Sequence, residues 1–431
     1  MNQQIKNNEP SGTMAVQEGS TIKPSKLWNR NFITFIIGME LSLISDSLLR
    51  FALPLYILIH TGDPAVMGMV LALGHIPYII LGPFGGIAAD RLSKRKILTL
   101  MNLVSGVVVF SYLLITQIFY TIPLSVLLFF VIGVLGSLVS PSAEASIPML
   151  VPIELLEKAN SVTFILTIIS SVGVPILGGF IMARAGITPI MMISAVLFIM
   201  AAFVKAMTKI PFTKQKMEYG VVKTGWIDLK EAFSYLLHEN PYLVKIIILV
   251  ALVNAILNPI LTTGMPILIS TYMGRNESVI GLIQGVIIFG GTIGVISLQC
   301  FGGKAGTKLF RPIILIASLI LISTGVVLVM VNHETFRFIY IIATFVIIFA
   351  LTSVLEIVAF TYVGQITSEF MMGKIMAIMV SFMVLGYAVG DLLYGFVLGR
   401  FINGSNPGYA LILLACAGVA VAIFANVKKN I

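Results

Sequence analysis

Charged residues and cysteines are scarce in this chain of 431 residues. Only 10% of the residues are Asp, Glu, Lys or Arg, whereas 58% are hydrophobic and the mean hydropathy is +1.04. That composition excludes an ordinary soluble globular protein. The two cysteines, Cys300 and Cys416, both lie inside apolar runs, which excludes a disulfide framework and a cysteine-rich metal site. The sequence also has no phosphate-binding P-loop and no metal-spaced cluster of His, Cys and carboxylates, so nothing in it favours an enzyme, a metal or another cofactor.

Long apolar runs are abundant instead. Most reach the length of about 20 residues that an α-helix needs to cross a bilayer. Six runs lie near residues 32–60, 65–89, 96–117, 121–141, 158–184 and 186–207, and six more near 243–271, 277–301, 309–331, 336–361, 371–399 and 407–427. We therefore predict an all-α integral membrane protein whose twelve transmembrane helices form two pseudo-symmetric six-helix bundles.

Polar segments set the predicted domain organisation. They delimit a disordered cytoplasmic tail at 1–30, an N-terminal bundle at 31–207, a linker at 208–242, a C-terminal bundle at 243–427 and a second tail at 428–431. Within the linker, apolar residues recur at helical spacing around Trp226. This pattern predicts a short helix on the cytoplasmic surface.

Lysine and arginine are distributed unevenly between the predicted loops. If the N-terminus is cytoplasmic, all but five of the 27 lie on the cytoplasmic side, the exceptions being Arg50, Arg184, Arg275, Arg337 and Arg400. The bias favours cytoplasmic termini, because positive loops stay inside. It also accounts for the net charge of +9 with anionic lipids as counter-ions, so no nucleic-acid partner is implied.

Turn and helix-bending residues repeat at a spacing of about 212 residues. The matched pairs are Pro54 with Pro266, Gly62 with Gly274, Gly68 with Gly281, Gly178 with Gly390, and Glu144 with Glu356. The repeat indicates duplication of a six-helix unit. Two such units facing each other form a cleft at mid-membrane, as in transporters that work by alternating access.

The turn after the second run carries a recognisable motif. It reads Gly86-Ile87-Ala88-Ala89-Asp90-Arg91-Leu92-Ser93-Lys94-Arg95. The motif resembles the signature loop of the major facilitator superfamily, Gly-x-x-x-Asp-Arg-x-Gly-Arg-Arg, with Ser93 in place of a glycine. The preceding Pro77-Tyr78 and Gly82-Pro83 resemble the macrolide-efflux branch. The resemblance implies a monomeric drug/proton antiporter in the bacterial cytoplasmic membrane.

This loop motif has a physical interpretation as a cytoplasmic gate. Gly86 lets two helices approach closely, and the anionic Asp90 can cap a helix N-terminus. Arg91 and Arg95 are expected to pair with Glu144. The alternative is a positively charged turn with no further role.

The fifth run carries a second motif. Gly173, Pro175, Gly178 and Gly179 resemble the superfamily's antiporter motif Gly-Pro-x-x-Gly-Gly, with Val174 in place of the first glycine. The resemblance favours export over uptake, and the alternative is an ordinary packing face of small residues. The arginine that drug/proton antiporters often carry in the fourth helix is absent between Leu127 and Val139.

Ionisable residues inside the runs are candidate functional groups, because an unpaired charge in the membrane is costly. In the first helix, Asp46 and Arg50 are four residues apart and predict an intrahelical ion pair. Glu40 is interpreted either as a cleft carboxylate or as a hydrogen-bonded packing residue. His75 could titrate near neutral pH, or be neutral and bonded to a backbone carbonyl.

Two carboxylates in the second half are further candidates. Asp391 corresponds to Gly179 in the repeat and is expected to line an outer vestibule. Glu356 corresponds to Glu144 and has no obvious partner, because the second-half loop lacks an Asp-Arg pair.

The sequence therefore predicts a secondary transporter that exports amphipathic, cationic or neutral drug-like compounds in exchange for protons. The 21 Met and 27 Phe residues are compatible with an adaptable cleft and equally with packing against lipid. An importer or lipid mover on the same fold is one alternative. A transport-inactive membrane sensor or scaffold is the other.

Overall fold

The computed structural model describes residues 26–119, 121–211, 221–300, 307–368, 370–404 and 406–425. Within them, residues 86–90, 221, 222, 224, 299, 300, 307 and 403 are described by their backbone alone. The predicted tail over 1–25, the loop at 301–306 and the C-terminal residues 426–431 lie outside the described residues.

Seven helices form the first half, which we call the N-half. They are α1 (Arg30–Thr61), α2 (Pro64–Arg91), α3 (Lys94–Thr116), α4 (Ile122–Glu144), the single turn α5 (Ile147–Leu150), α6 (Leu156–Ala185) and α7 (Ile187–Met207). Asn29 begins α1, since its side-chain oxygen accepts a hydrogen bond from the Phe32 amide at 3.0 Å.

The linker helix α8 (Val221–Ser234) leads into the second half, the C-half. This consists of α9 (Pro241–Ile256), α10 (Glu277–Cys300), α11 (Phe310–Met330), α12 (Glu334–Ile366), α13 (Met372–Gly404) and α14 (Pro407–Phe424). The helix predicted around Trp226 is thus present. It contacts both halves, with Trp226 against Phe84 of α2 and Lys374 of α13 bonded to Asp228 and Glu231.

Twelve helices within the described residues are long and apolar enough to cross a membrane. Large apolar side chains such as Phe203, Ile169 and Leu177 are more than half exposed on their outer surfaces, as expected where lipid rather than water surrounds the helices. The predicted fold class, an all-α membrane protein with two six-helix bundles, is confirmed.

The seventh predicted run is not one continuous α-helix. Helix α9 ends at Ile256, and the chain continues through π-helical turns at Ile260–Gly264 and Ile267–Tyr272. Pro259 and Pro266 explain the break, because proline has no amide hydrogen for the helical ladder. Asn258, just before the turns, bonds to Glu356 of α12. Thr262 and Thr263, in the first turn, bond to Asp391 of α13.

Successive membrane helices run in alternate directions, which gives the bundle two faces. We call the face where α1 begins at Arg30 the terminal face, and the face with the turns at Gly62, Gly186 and Gly274 the opposite face. Gly62 and Gly274 adopt left-handed backbone angles, with φ of 64° and 62°, at matching positions of the repeat. The first membrane run of each half therefore ends in the same kind of left-handed turn.

The halves contact each other at two glycine pairs near the opposite face. A Cβ atom at Gly68 of α2 would lie 3.1 Å from the Cα of Gly395 in α13, and one at Gly281 of α10 would lie 3.0 Å from the Cα of Gly179 in α6. The two contacts are related by the repeat, because α2 corresponds to α10 and α6 to α13. Backbone packed on backbone closes the opposite face.

Candidate functional site

Two cavities are lined by the candidate residues, one inside the N-half and one between the halves. The N-half cavity has a volume of about 370 Å³ and extends from Asp46 at mid-membrane to the exposed Glu144 at the terminal face. The central cavity, of about 220 Å³, is lined by both halves, including Arg50 and His75 from the first and Thr262 and Gln284 from the second. Candidate residues from distant parts of the sequence thus meet around a common space.

Arg50 is held by two partners in the N-half. Its Nε donates to Asp46 Oδ2 at 2.6 Å, and its Nη2 donates to the Tyr78 hydroxyl at 2.7 Å. The predicted ion pair between Asp46 and Arg50 is confirmed. Gly136 of α4 leaves the room that the Tyr78 hydroxyl occupies, since a Cβ there would collide with it. The pair is neutral overall and separates the two cavities.

His75 and Asp391 join the two halves. Nε2 of His75 in α2 lies 3.2 Å from Oδ2 of Asp391 in α13. Asp391 is completely buried, with 0% of its surface exposed, whereas the His75 side chain retains 20% exposure. Buried carboxylates persist in a membrane protein only when they are paired or protonated.

The broken helix supplies the other partners of Asp391. The hydroxyls of Thr262 and Thr263 each donate to Asp391 Oδ1 at 2.6 Å. Such bonds to a charged acceptor are roughly twice as strong as bonds between neutral groups. The carboxylate is thus held on one oxygen by the C-half and on the other by the N-half.

Glu356 belongs to a neighbouring polar group in the C-half. Its Oε1 accepts from Asn258 Nδ2 at 2.8 Å and from the Tyr387 hydroxyl at 3.1 Å. The ring of Tyr387 lies 5.9 Å from the ring of His75. Polar groups therefore extend from Glu356 to the contact between the halves.

Three expectations from the sequence require correction. Asp391 does not line an open outer vestibule, because the glycine contacts close that face over it. His75 bonds to a carboxylate rather than to a backbone carbonyl. Glu356 has partners in Asn258, which lies at the break in the seventh run, and in Tyr387 of α13.

Glu40 lies apart from this cluster. Its Oε2 accepts from the Ser170 hydroxyl of α6 at 2.7 Å, while its Oε1 is buried without a partner among the described residues. This contact fits the second interpretation of Glu40, that of a hydrogen-bonded residue that packs α1 against α6.

The predicted gate is only partly described. Gly86 and Asp90 are described by their backbone alone, so the contacts of the Asp90 carboxylate lie outside the described residues. Arg95 donates to the backbone carbonyl of Ala206, and Glu144 accepts from Ser140 at 3.4 Å. Within the described part of the chain, no ion pair joins Glu144 to Arg91 or Arg95. The expected bridge is therefore wrong for this conformation. Arg95 contacts the end of α7 instead, and Glu144 lines the N-half cavity. Lys94 is buried in the first turn of α3.

The residues of the α6 motif divide between two contacts. Gly178 packs against Phe51 and Leu48 of α1, while Gly179 and the carbonyl of Pro175 meet Gly281 of the other half. Gly173 has open space where a Cβ would stand. Close packing thus involves the second part of the motif and not its first glycine.

Several participating residues were missed from the sequence. Tyr78, Asn258, Thr262, Thr263 and Tyr387 are uncharged, so a search for membrane charges passes over them. The Asn258-Pro259 pair inside an apolar run was the available signal for the broken helix.

Twelve membrane helices, two repeated halves and a polar contact across a central cavity define a multi-pass membrane transporter. The sequence matches the family described as Major Facilitator Superfamily over residues 35–390, and the chain belongs to that superfamily.

Named relatives and solved structures agree with this assignment. Macrolide efflux protein A of Streptococcus pyogenes is 27% identical over 186 residues, which cover 43% of this chain and 46% of that protein; the match thus spans about half the length of that relative. The multidrug resistance protein MdtG of Escherichia coli is 28% identical over 68% of this chain and 70% of its own length. The crystal structure of the nucleoside transporter NupG superposes with a TM-score of 0.71 at 15% identity, covering 94% of this chain and all of that one.

Proposed function

We propose that the protein exports amphipathic, drug-like compounds across the bacterial cytoplasmic membrane in exchange for protons, by alternating access. The contact between His75 and Asp391 carries the proposal. It is the point at which a titratable pair joins the two halves beside the central cavity.

The distribution of positive charge supports the orientation. With the terminal face in the cytoplasm, the Lys and Arg bias follows the positive-inside rule. The glycine contacts then close the extracellular side, while the N-half cavity opens toward the cytoplasm. The structure corresponds to an inward-facing state in this assignment.

In this proposal, the number of protons held by His75 and Asp391 in each state couples proton movement to the conformational change. When the extracellular side is open, water reaches both groups, so the pair can hold no added proton, as a neutral imidazole beside a carboxylate. When that side closes, burial demands a neutral unit, either an imidazolium with a carboxylate or a neutral imidazole with a carboxylic acid. Both forms hold one proton. Closure therefore takes up one proton from outside.

Release of this proton on the cytoplasmic side completes the cycle. The central cavity touches His75, and Tyr387 and Glu356 extend the polar groups on from the pair. Loss of the proton leaves an uncompensated buried charge, which favours reopening toward the outside. The return movement carries the cargo, so that proton entry and compound exit alternate.

The class of cargo rests on the relatives and the cavities. The names of two relatives refer to macrolide efflux and multidrug resistance. The N-half cavity is within the size range of small-molecule sites, and its lining combines eight apolar or glycine residues with ten polar ones. An amphipathic compound fits such a surface.

Transport by the purified full chain in sealed lipid vesicles tests the proposal. A pH gradient should drive accumulation of a macrolide against its own gradient, and a protonophore should abolish it. Asp391→Asn should retain exchange of labelled for unlabelled compound but lose accumulation, because the neutral amide needs no proton. Glu334→Gln is the matched control, since its ion pair with Arg275 is largely exposed.

The alternatives predict other results in the same vesicles. Accumulation in the reverse direction, or transport that ignores the protonophore, would replace export with the importer or lipid mover. A purified chain that moves no compound under any gradient would favour the sensor or scaffold.

A further inference from the structure

A buried lysine in the N-half has no hydrogen-bonding partner among the described residues. Lys205 of α7 is 1% exposed, and its Nζ makes no hydrogen bond within the described residues. The position is well defined, because Gly38 of α1 leaves space for the lysine stem: a Cβ there would lie 2.8 Å from Lys205 Cγ. Burial without a counter-charge is unfavourable for an ammonium group, so the position calls for a partner that the described residues do not supply.

Lys205 also forms part of the wall of the N-half cavity. The apolar part of that wall includes Met39, Leu43 and Phe198. The acidic residues of the same wall are not its partners: Asp46 is engaged by Arg50, and Glu144 bonds to Ser140 at the terminal face. The polar Asn102 is likewise occupied, since it accepts from Ser42 and donates to Leu98.

We propose that Lys205 is the binding residue for an acidic group on the cargo, so that the N-half cavity accepts an amphipathic carboxylate. The flexible stem of lysine lets the ammonium turn to meet the carboxylate while the apolar body of the ligand lies along the cavity wall. A zwitterionic cargo is also compatible, since Glu144 offers a negative charge at the cavity mouth. The inference rests on the proposed function only in treating this cavity as the cargo site.

Binding of two probes that differ in one group tests the inference. Dansylated undecanoic acid and its primary amide share an apolar body, and only the acid is charged. With the full chain in nanodiscs of neutral phosphatidylcholine, the acid should bind at least about tenfold more tightly than the amide. Lys205→Met should abolish that preference, Lys205→Arg should retain it, and the control Lys158→Met, which removes an exposed lysine from the first turn of α6, should leave it unchanged.

Equal binding of acid and amide by the unaltered chain would overturn the proposal, and so would a preference that survives Lys205→Met. The comparison of acid and amide on the unaltered chain tests the proposal even if a variant fails to fold. Displacement of the probe by soluble benzoate identifies a ligand from solution, displacement by oleate identifies one from the bilayer, and displacement by neither overturns the carboxylate site. Because the assay needs no proton gradient, its failure leaves proton-driven export untouched, and failed export leaves this binding test valid.

Discussion

His75 and Asp391 are 316 positions apart in the sequence, yet the imidazole Nε2 of one lies 3.2 Å from a carboxylate oxygen of the other. The contact joins the N-half to the C-half beside the glycine pair of Gly68 and Gly395. A conformational change that opens the opposite face must separate both contacts together. The proposed coupling rests on this relationship, because a movement that parts the halves here would also part His75 from Asp391.

The hydroxyls that hold Asp391 should contribute to stability. Thr263→Val keeps the side-chain shape but removes one donor to a buried carboxylate, so the free energy of unfolding should fall by about 1.5–3 kcal/mol. Thr292→Val is the control, because that hydroxyl bonds only to a carbonyl in its own helix. Denaturant titration of the purified chain measures both. Equal stability of the two variants would remove Thr263 from the support of Asp391.

Gly179 should be essential for closure of the opposite face. Gly179→Leu places a side chain against the backbone of Glu277 and Gly281, which cannot retreat. A cysteine at Gln284 in the central cavity, with Cys300 and Cys416 replaced by alanine, should then react faster with an impermeant maleimide added outside.

Gly173→Leu is the matched control on the same helix. Among the described residues, no atom of a neighbouring element lies within 4 Å of a Cβ at that position, so labelling should proceed at the parental rate. If both leucine variants label at the same rate, the glycine contact does not close this face.

Arg50 should depend more on Asp46 than on Tyr78. Asp46→Asn leaves the guanidinium without a counter-charge, and because the pair is partly exposed we expect a loss of about 1–3 kcal/mol in stability. Tyr78→Phe removes one hydrogen bond, for which about 1 kcal/mol is expected. Folded yield and thermal midpoint measure the difference. A larger effect of Tyr78→Phe would reverse the order argued from the geometry.

Much of the fold could be predicted from the sequence because membrane helices depend on local composition. Runs of apolar residues fix the spans, and the spacing of four between Asp46 and Arg50 fixes their pairing on one helix. Gly62 and Gly274 at matching positions also indicated the repeat, which the left-handed turns reproduce.

The candidate site was harder to predict from the sequence because its contacts join distant segments. Neither half alone shows that His75 faces Asp391, and a search for charges overlooks Thr262 and Thr263. The unpartnered amine of Lys205 is equally invisible in the sequence, where the residue falls at the cytoplasmic end of a helix and is explained by the positive-inside bias.

Coupling between proton and cargo is tested most directly by the gradient at which net flux stops. With the membrane potential clamped at zero, one unit of pH and a tenfold concentration ratio each correspond to about 1.4 kcal/mol. For exchange of one proton per molecule, a pH difference of about one unit should hold an approximately tenfold gradient of a neutral macrolide in balance, and Asp391→Asn should show zero flux only at equal concentrations. A stopping point that does not move with the pH difference in the unaltered chain would contradict the account.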